Sequence, residues 1–282
     1  MRPVPKGKLL QRNLDTHYVR VEGVISSLHE EAFTGYVRAV LDRDEGLVFF
    51  RDGDLVACVL EREGRVAKGL DALVALLAAV RADRAFLDIC RLDHDLLAAL
   101  LASWHGVTNV LEGADAPGSP AAALALAASR RLTGALSADA AGAECVCYVA
   151  DGEPLGWHLT ATDAWVPKAG PAPAGLAGGW RFAHAPAADA LRTIDLGSLK
   201  ERVMGEMIAA TGRFVPSFGP RLFAVERARR NAADPRSLDR AGFLALAEGA
   251  AGRARLLVGE ARARELHADL AARAAAIVDL GY

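Results

Sequence analysis

The densest group of potential metal ligands lies at residues 88–95, which read DICRLDHD. Asp93, His94 and Asp95 place two carboxylates and an imidazole side by side, and Asp88 precedes them. Oxygen and imidazole ligands suit divalent cations, so one hypothesis is a metal-dependent hydrolase that uses these residues. The alternative, which we favour, is the start of a helix, where the helix dipole stabilises acidic side chains.

One other pattern places two thiols together. Cys145 and Cys147 are two positions apart in a strand-like run, so both thiols are expected on one face. No second Cys or His pair nearby in the sequence completes a zinc site, and buried cysteines otherwise act as small apolar residues. The sequence also lacks the GxSxG, GxxxxGK[ST] and GxGxxG motifs. We therefore predict a non-enzymatic protein with no catalytic residue, no cofactor and no resident metal.

The pairs Asp52-Gly53 and Asp151-Gly152 each separate two apolar runs, VFFR from DLVAC and VCYVA from EPLGW. A single carboxylate per turn cannot hold a metal unless other oxygens converge on it. Asp-Gly between two apolar runs is a strong hairpin signal, because a type I′ turn needs positive φ at both central residues. We interpret both pairs as structural turns.

The two turns occur in the same sequence context. Thr34-Gly35 precedes Asp52 by 18 residues, and Thr133-Gly134 precedes Asp151 by 18 residues. In both places the order is helix, Thr-Gly, strand, turn, strand, Asp-Gly, strand. This spacing indicates an internal repeat.

Hydrophobic periodicity predicts the elements of the first copy. Apolar residues at helical spacing indicate a helix at Val21–Glu31, and three β-rich runs indicate strands at Tyr36–Leu41, Leu47–Phe50 and Leu55–Leu60. Both faces of these strands are apolar, so we expect both faces of the sheet to be covered. A helix at Leu70–Arg81, a strand at Ala85–Leu92 and a helix from Asp93 to about Trp104 complete the copy.

The second copy is predicted to be a reduced version of the first. A linker at 113–120 and a helix at Ala121–Arg131 precede a short strand, Ala135–Ala138, and the strands around Asp151-Gly152. Pro154 suits an edge strand or the first position of a strand. The stretch PKAGPAPAGLAGG, residues 167–179, predicts a flexible loop where the first copy has a helix, and Trp180–Phe182 is predicted as a last strand.

The last third of the chain has helical periodicity. The predicted helices are Ser198–Ala210, Pro220–Arg230, Leu238–Ala250 with Ser237 as the N-cap, and the amphipathic Arg262–Leu280. The expected fold class is therefore α+β: two tandem small repeats, each an antiparallel sheet with helices, followed by an all-helical C-terminal domain. The predicted domains are 1–112, 113–190 and 191–282.

The repeat unit resembles the PATAN domain of prokaryotic signalling proteins. The matching residues are Phe33–Val37, Gly46–Ala57 and the helix Gly69–Leu77, with a weaker match at Thr133-Gly134 and Tyr148–Gly152. The resemblance implies a tandem pair of interaction domains, the second degenerate, in a signalling context often associated with small GTPases or two-component systems. It implies no catalytic residues, because the family has no established ones.

The first functional hypothesis is accordingly a regulatory protein that binds another protein, with homo-oligomerisation also possible. The candidate contact surfaces are the sheet edge around Pro154 and the amphipathic helix at 262–280. A net charge of −2 argues against nucleic acid as a partner. A second hypothesis is a small-ligand sensor whose aromatic pocket is lined by Tyr148, Trp157, Trp165 and Trp180.

Composition favours a folded protein of the cytoplasm. Hydrophobic residues make up 52% of the 282 residues, which is enough to form real cores. No signal peptide is recognisable, and the four cysteines show no obvious disulfide framework. The most apolar helical stretches carry charged residues at intervals, so we expect no membrane span.

Overall fold

A computed structural model gives the fold of the chain and describes residues 4–5, 7–105, 107–111, 119–140, 143–162, 164–168, 180–185, 194–275 and 277. Within these residues the protein is α+β, with two six-stranded antiparallel sheets and eight α-helices. The predicted fold class is confirmed. The predicted linker at 113–120 and the loop at 167–179 lie largely outside the described residues.

The first sheet has the strand order β1-β6-β2-β3-β4-β5. Its strands are β1 (Lys8–Asp15), β2 (Gly35–Val40), β3 (Glu45–Arg51), β4 (Asp54–Arg62), β5 (Arg65–Lys68) and β6 (Phe86–Arg91). The helices of this part of the chain are α1 (Val21–Glu30), α2 (Gly69–Ala82) and α3 (His94–His105).

The second sheet has the strand order β11-β10-β9-β8-β12-β7. Its strands are β7 (Val107–Leu111), β8 (Gly134–Ala140), β9 (Ala143–Ala150), β10 (Glu153–Leu159), β11 (Ala164–Pro167) and β12 (Trp180–His184), and α4 (Pro120–Ser129) lies between β7 and β8 in the chain. Counted from β7, this is the strand order of the first sheet counted from β1. The repeat therefore extends to the whole sheet.

Equivalent positions of the two copies lie 99 residues apart, as Thr34 and Thr133 or Asp52 and Asp151 do. By this rule β7 is the counterpart of β1. It falls within the range 1–112 predicted for the first domain, yet it pairs with β12 in the second sheet.

Four strands were not predicted: β1, β5, β7 and β11. They are the outermost strands of the two sheets. Of the two settings predicted for Pro154, the edge strand is wrong, because β10 is an inner strand of the second sheet. Pro154 is the second residue of β10, one position after the predicted first. The β9–β10 register is irregular between Pro154 and Gly156, which is where a residue without an N–H interrupts the ladder.

Both faces of the first sheet are buried, as its apolar strands predict. Phe49 faces α3, where its ring meets Trp104 edge to face with 5.2 Å between the centroids. Helix α3 lies between the two sheets and shares one core with both, through residues such as Leu97, Leu100 and Tyr148. His94 is the first residue of α3, so it lies close to the first sheet.

The chain divides into two compact units. The first consists of residues 1–19, 27–73 and 83–194 and contains both sheets. The second consists of residues 20–26, 74–82 and 195–282. Its main helices are α5 (Leu196–Phe214), α6 (Gly219–Arg229), α7 (Arg240–Val258) and α8 (Glu260–Ala274).

The main helices of the second unit each start one or two residues from the predicted positions. Asp239 caps α7, since its carboxylate accepts a hydrogen bond from the Gly242 N–H at 2.7 Å. Ser237 instead ends a short 3-10 helix, so the predicted N-cap is wrong. The last predicted helix also begins earlier, at Glu260, and the described helix ends at Ala274.

A buried carboxylate of α6 binds an arginine at the end of this helix and another on α7. The Glu226 side chain is fully buried and accepts hydrogen bonds from Arg230 at 2.6 Å and from Arg253 at 2.9 Å. Burial raises the pKa of Glu226, but the hydrogen bonds from Arg253 and Arg230 outweigh it and leave the pKa below its usual value. These arginines therefore act within the fold.

Candidate functional site

The first Asp-Gly turn is held by backbone hydrogen bonds to the Thr-Gly loop. Asp52 and Gly53 have φ values of 51° and 87°. The Asp52 N–H donates to Thr34 Oγ1 at 2.9 Å, and the Gly53 N–H donates to the Phe33 carbonyl at 2.9 Å. The positive φ values agree with the predicted turn, and Thr34 explains why threonine accompanies it.

The second turn repeats this geometry. Asp151 and Gly152 have φ values of 50° and 84°. The Asp151 N–H donates to Thr133 Oγ1 at 3.0 Å, and the Gly152 N–H donates to the Leu132 carbonyl at 2.8 Å. The eight predicted turn residues therefore form two equivalent networks rather than one shared site.

Gly35 and Gly134 occupy equivalent positions at the start of β2 and β8. Their φ values are 151° and 154°, and a Cβ at either position would lie 2.2 Å or less from a carbonyl oxygen of the neighbouring strand. The Thr-Gly pairs thus allow a close approach of two strands, which is a packing role.

His94 joins the first turn from the start of α3. Its Nε2 lies 2.8 Å from Asp52 Oδ1 and 3.4 Å from Thr34 Oγ1. His29, near the end of α1, adds a contact of 3.1 Å between its Nδ1 and the Gly53 carbonyl. The hydrogen bond from His94 lowers the pKa of Asp52 below its ordinary value.

Thr34, His94 and Asp52 are residue types that can form the catalytic triad of a hydrolase, but their arrangement differs from that of a triad. In a Ser-His-Asp triad the two nitrogens of the imidazole face the nucleophile and the carboxylate separately. Here the single Nε2 of His94 is close to both Thr34 and Asp52, and Thr34 Oγ1 already accepts the Asp52 N–H. The arrangement can fix the turn; it does not orient the threonine for attack.

The predicted metal ligands do not converge. Asp88, on β6, accepts the Asn13 N–H at 2.9 Å, whereas His94 contacts the Asp52 turn. The Asp93 carbonyl accepts the Leu97 N–H in the first turn of α3, as expected at a helix start. Within the described residues, no group of three or more His, Cys, Asp or Glu side chains is placed to hold a metal ion.

The four aromatic residues predicted to line one pocket lie on two faces of the second sheet. Tyr148 and Trp165 pack on the α3 side, with ring centroids 6.2 Å apart. Trp157 and Trp180 pack on the other side, 6.5 Å apart, in a separate core cluster. The sheet lies between the two pairs, so a single pocket lined by all four rings is not formed.

Cys145 and Cys147 share a face, as predicted from their spacing. Both are free thiols. Burial raises the pKa of Cys145 to about 11 and that of Cys147 to about 12. Both therefore stay protonated near neutral pH, and a thiol in this state is a poor nucleophile and metal ligand.

Arg131 is the residue of this region that the sequence analysis missed. Its guanidinium binds both oxygens of Asp151, at 2.8 Å from Nε and 2.6 Å from Nη2. This hydrogen bonding lowers the pKa of Asp151. An arginine two residues before Thr133-Gly134 is visible in the sequence, but only the turn geometry shows that it reaches Asp151.

Residues 3–103 match a protein family described as "Uncharacterized protein conserved in archaea (DUF2226)". The matched range covers the first sheet and most of α3, which is the first copy of the repeat. No curated protein and no solved structure matches the chain. Among the described residues, none of the helices combines the length and the apolar character needed to cross a bilayer.

Proposed function

We propose that this chain is a non-enzymatic interaction protein of a prokaryotic signalling circuit. The observation that carries the proposal is the duplication of a whole sheet around two Asp-Gly turns, in each of which the aspartate N–H donates to a threonine hydroxyl. The polar side chains at the first turn complete a hydrogen-bond network within the fold, as Arg131 does at the second. A repeated scaffold of this kind is typical of proteins that present surfaces to partners.

The resemblance to the PATAN domain supports the signalling context. The resemblance implies a helix, a Thr-Gly strand, two strands joined by Asp-Gly and a further helix. The first copy has this order, with α2 as the last helix, and the second copy has it as far as the strand after Asp-Gly. The proposed partner is therefore a small GTPase or a response-regulator receiver domain. The proposed site of action is the cytoplasm.

The outer strand β1 is the best-supported contact surface in the first unit. It lies at one edge of the first sheet and is mostly exposed, with Leu9 48% and Leu10 39% accessible. An exposed edge can accept a strand from another protein, and apolar side chains along it add buried area. The opposite edge, β5, provides a control. Val66 is also an exposed apolar residue on an edge strand, at 53% accessible, but β5 begins and ends with a basic residue.

The test is affinity purification of the tagged full-length chain after cross-linking in its native host, followed by binding measurements with the purified partner. We expect a small GTPase or a receiver-domain protein to be enriched. Leu10→Asp should weaken its binding at least about tenfold, because a charge replaces an apolar contact on the edge. Val66→Asp, on the other edge, should leave binding unchanged.

Two results would argue against the proposal. One is a strictly monomeric protein that enriches neither class of partner. The other is a partner whose binding is equally insensitive to Leu10→Asp and Val66→Asp, which would remove β1 from the proposal.

A further inference from the structure

A cavity of about 400 Å³ lies between α4 and the second sheet. Its walls are largely apolar and include Ala127 of α4, Leu132, Leu136 of β8 and Phe182 of β12. The volume falls within the usual range of small-molecule sites, about 300–1,000 Å³. The cavity lies on the face of the sheet that also carries Trp157 and Trp180.

Compared with the first copy, the second copy has smaller side chains at two positions of this layer. Leu132 occupies the position of Phe33, and Val149 occupies the position of Phe50. In the first copy those two rings are fully packed and meet edge to face, with 5.9 Å between their centroids. The second copy therefore replaces two buried aromatic rings with smaller side chains.

The helix above the cavity is reduced in the same way. Ala127 occupies the position of Leu28, which is buried in the first copy. By strand pairing, Leu136 and Phe182 correspond to the smaller Val37 and Ile89, so the sheet wall is reduced at some positions and enlarged at others. Side-chain volume lost from a packed layer leaves a void unless the backbone collapses or other side chains fill it. The turn hydrogen bonds of the second copy keep their first-copy lengths, so the layer has not collapsed at that end.

The rim of the cavity is cationic. Arg130, at the end of α4, lines it and is exposed, and it has no ion pair within the described residues. His184 also lines it, stacked on Phe182 with 5.2 Å between the ring centroids. In the first copy the position of Arg130 is taken by Glu31, so the charge at this end of the helix is reversed.

We propose that this cavity binds a medium-chain carboxylic acid, with the apolar chain between α4 and the sheet and the carboxylate at Arg130. Dry apolar cavities take up apolar ligands, and a guanidinium recognises a carboxylate with two parallel hydrogen bonds. The site is independent of the protein contacts proposed above, because it lies on the second sheet and uses none of the β1 residues.

The test is isothermal titration calorimetry of the full chain with decanoate, decan-1-ol and decylammonium. Decanoate should bind at one site. Decan-1-ol, which has the same chain without the charge, should bind about tenfold more weakly, and decylammonium should not bind. Arg130→Gln should weaken decanoate about tenfold and leave decan-1-ol unchanged.

The decisive variant is Leu132→Phe, which restores the first-copy residue. It should abolish decanoate binding and raise the urea midpoint of unfolding, because it fills the cavity. A raised midpoint would show that the loss of binding is not a loss of folding. Phe33→Leu, the reverse change in the first copy, should leave decanoate binding unchanged while lowering the midpoint.

Decanoate binding that persists in Leu132→Phe would overturn the proposal, because the ligand would then lie elsewhere. Equal binding of the three probes would also overturn it, since the carboxylate would have no role. The absence of decanoate binding to the wild-type chain at millimolar concentration would reject the site.

Discussion

The two Asp-Gly turns share a backbone and differ in the side chains around it. In the first copy His94 approaches Asp52 from α3, a helix 42 positions further along the chain. In the second copy Arg131, from the loop directly before β8, donates hydrogen bonds to both carboxylate oxygens of Asp151. This difference indicates that the threonine and the glycine define the turn, whereas the side chain that binds the aspartate can be replaced by another.

The two copies also differ in the size of their core side chains. In the first, the rings of Phe33 and Phe50 meet edge to face and are almost completely buried. The second has Leu132 and Val149 in those positions and contains a cavity nearby. The turn residues are therefore the same in both copies, whereas the core residues beside them differ. The fold thus constrains the residues of the turn more strongly than those of the core.

The strongest test of the shared turn is the glycine after each aspartate. A Cβ on Gly53 would lie 2.4 Å from the His29 carbonyl oxygen, and one on Gly152 would lie 2.6 Å from Ala128 Cα. We expect Gly53→Ala and Gly152→Ala each to cost about 3 kcal/mol, from a backbone clash added to a positive φ. Urea unfolding of the full chain measures the loss.

Gly64→Ala is the matched control for these two variants. Gly64 also has a positive φ, 74°, but a Cβ there meets nothing within 4 Å. Only the conformational cost of about 1 kcal/mol should remain. A cost for Gly152→Ala no larger than that of Gly64→Ala would show that the second turn has lost its close packing.

The threonine hydroxyls should have the next largest effect. Thr34→Val and Thr133→Val each remove the acceptor of an aspartate N–H while keeping the shape of the side chain. The expected cost is about 1–2 kcal/mol for each, because a backbone donor loses its partner. Thr34→Ser and Thr133→Ser retain the hydroxyl and should cost less. Values for the two valine variants that differ by more than about twofold would contradict the equivalence of the turns.

The aspartate side chains should give the smallest effects, and these effects should depend on pH. The pKa values of Asp52 and Asp151 are lowered in the fold, first by hydrogen bonds from His94 and Arg131 respectively. Each carboxylate therefore stabilises the fold above its unfolded pKa of about 3.9, and this stabilisation is lost as the pH falls through the lower folded value.

Replacing each aspartate tests this pH dependence. The loss of stability caused by Asp52→Asn or Asp151→Asn should be present at neutral pH and should decrease as the pH falls below about 4, because the contribution of the carboxylate is lost there. Urea midpoints measured between pH 7 and pH 3 check this, and a loss that stays constant over the whole range would contradict it.

Sequence periodicity predicted the inner strands and most helices because these elements carry buried apolar residues at regular spacing. It missed β1, β5, β7 and β11, which are all outermost strands. Where their burial is described, these strands are exposed or half-buried, so they show no alternation of buried and exposed positions. An edge strand is specified largely by the strand it pairs with.

The candidate site was predictable only in part. The 18-residue spacing from Thr to Asp is a local feature and identified both turns. The contact of His94 with Asp52 depends on where α3 starts relative to the first sheet, and no sequence pattern encodes that distance. The four aromatic residues gave a wrong pocket because nearness in sequence does not show which face of a strand a side chain occupies.

Residue-resolved hydrogen exchange of the turn amides tests most directly whether the two turns are one structural element. The Asp52, Gly53, Asp151 and Gly152 N–H groups each donate a hydrogen bond to the Thr-Gly loop of their own copy. We predict comparable protection of the two pairs, with Thr34→Val reducing it only in the first turn and Thr133→Val only in the second. Unprotected Asp52 and Gly53 amides beside protected Asp151 and Gly152 amides would contradict the account, because the first turn would then be an open site rather than a fixed part of the fold.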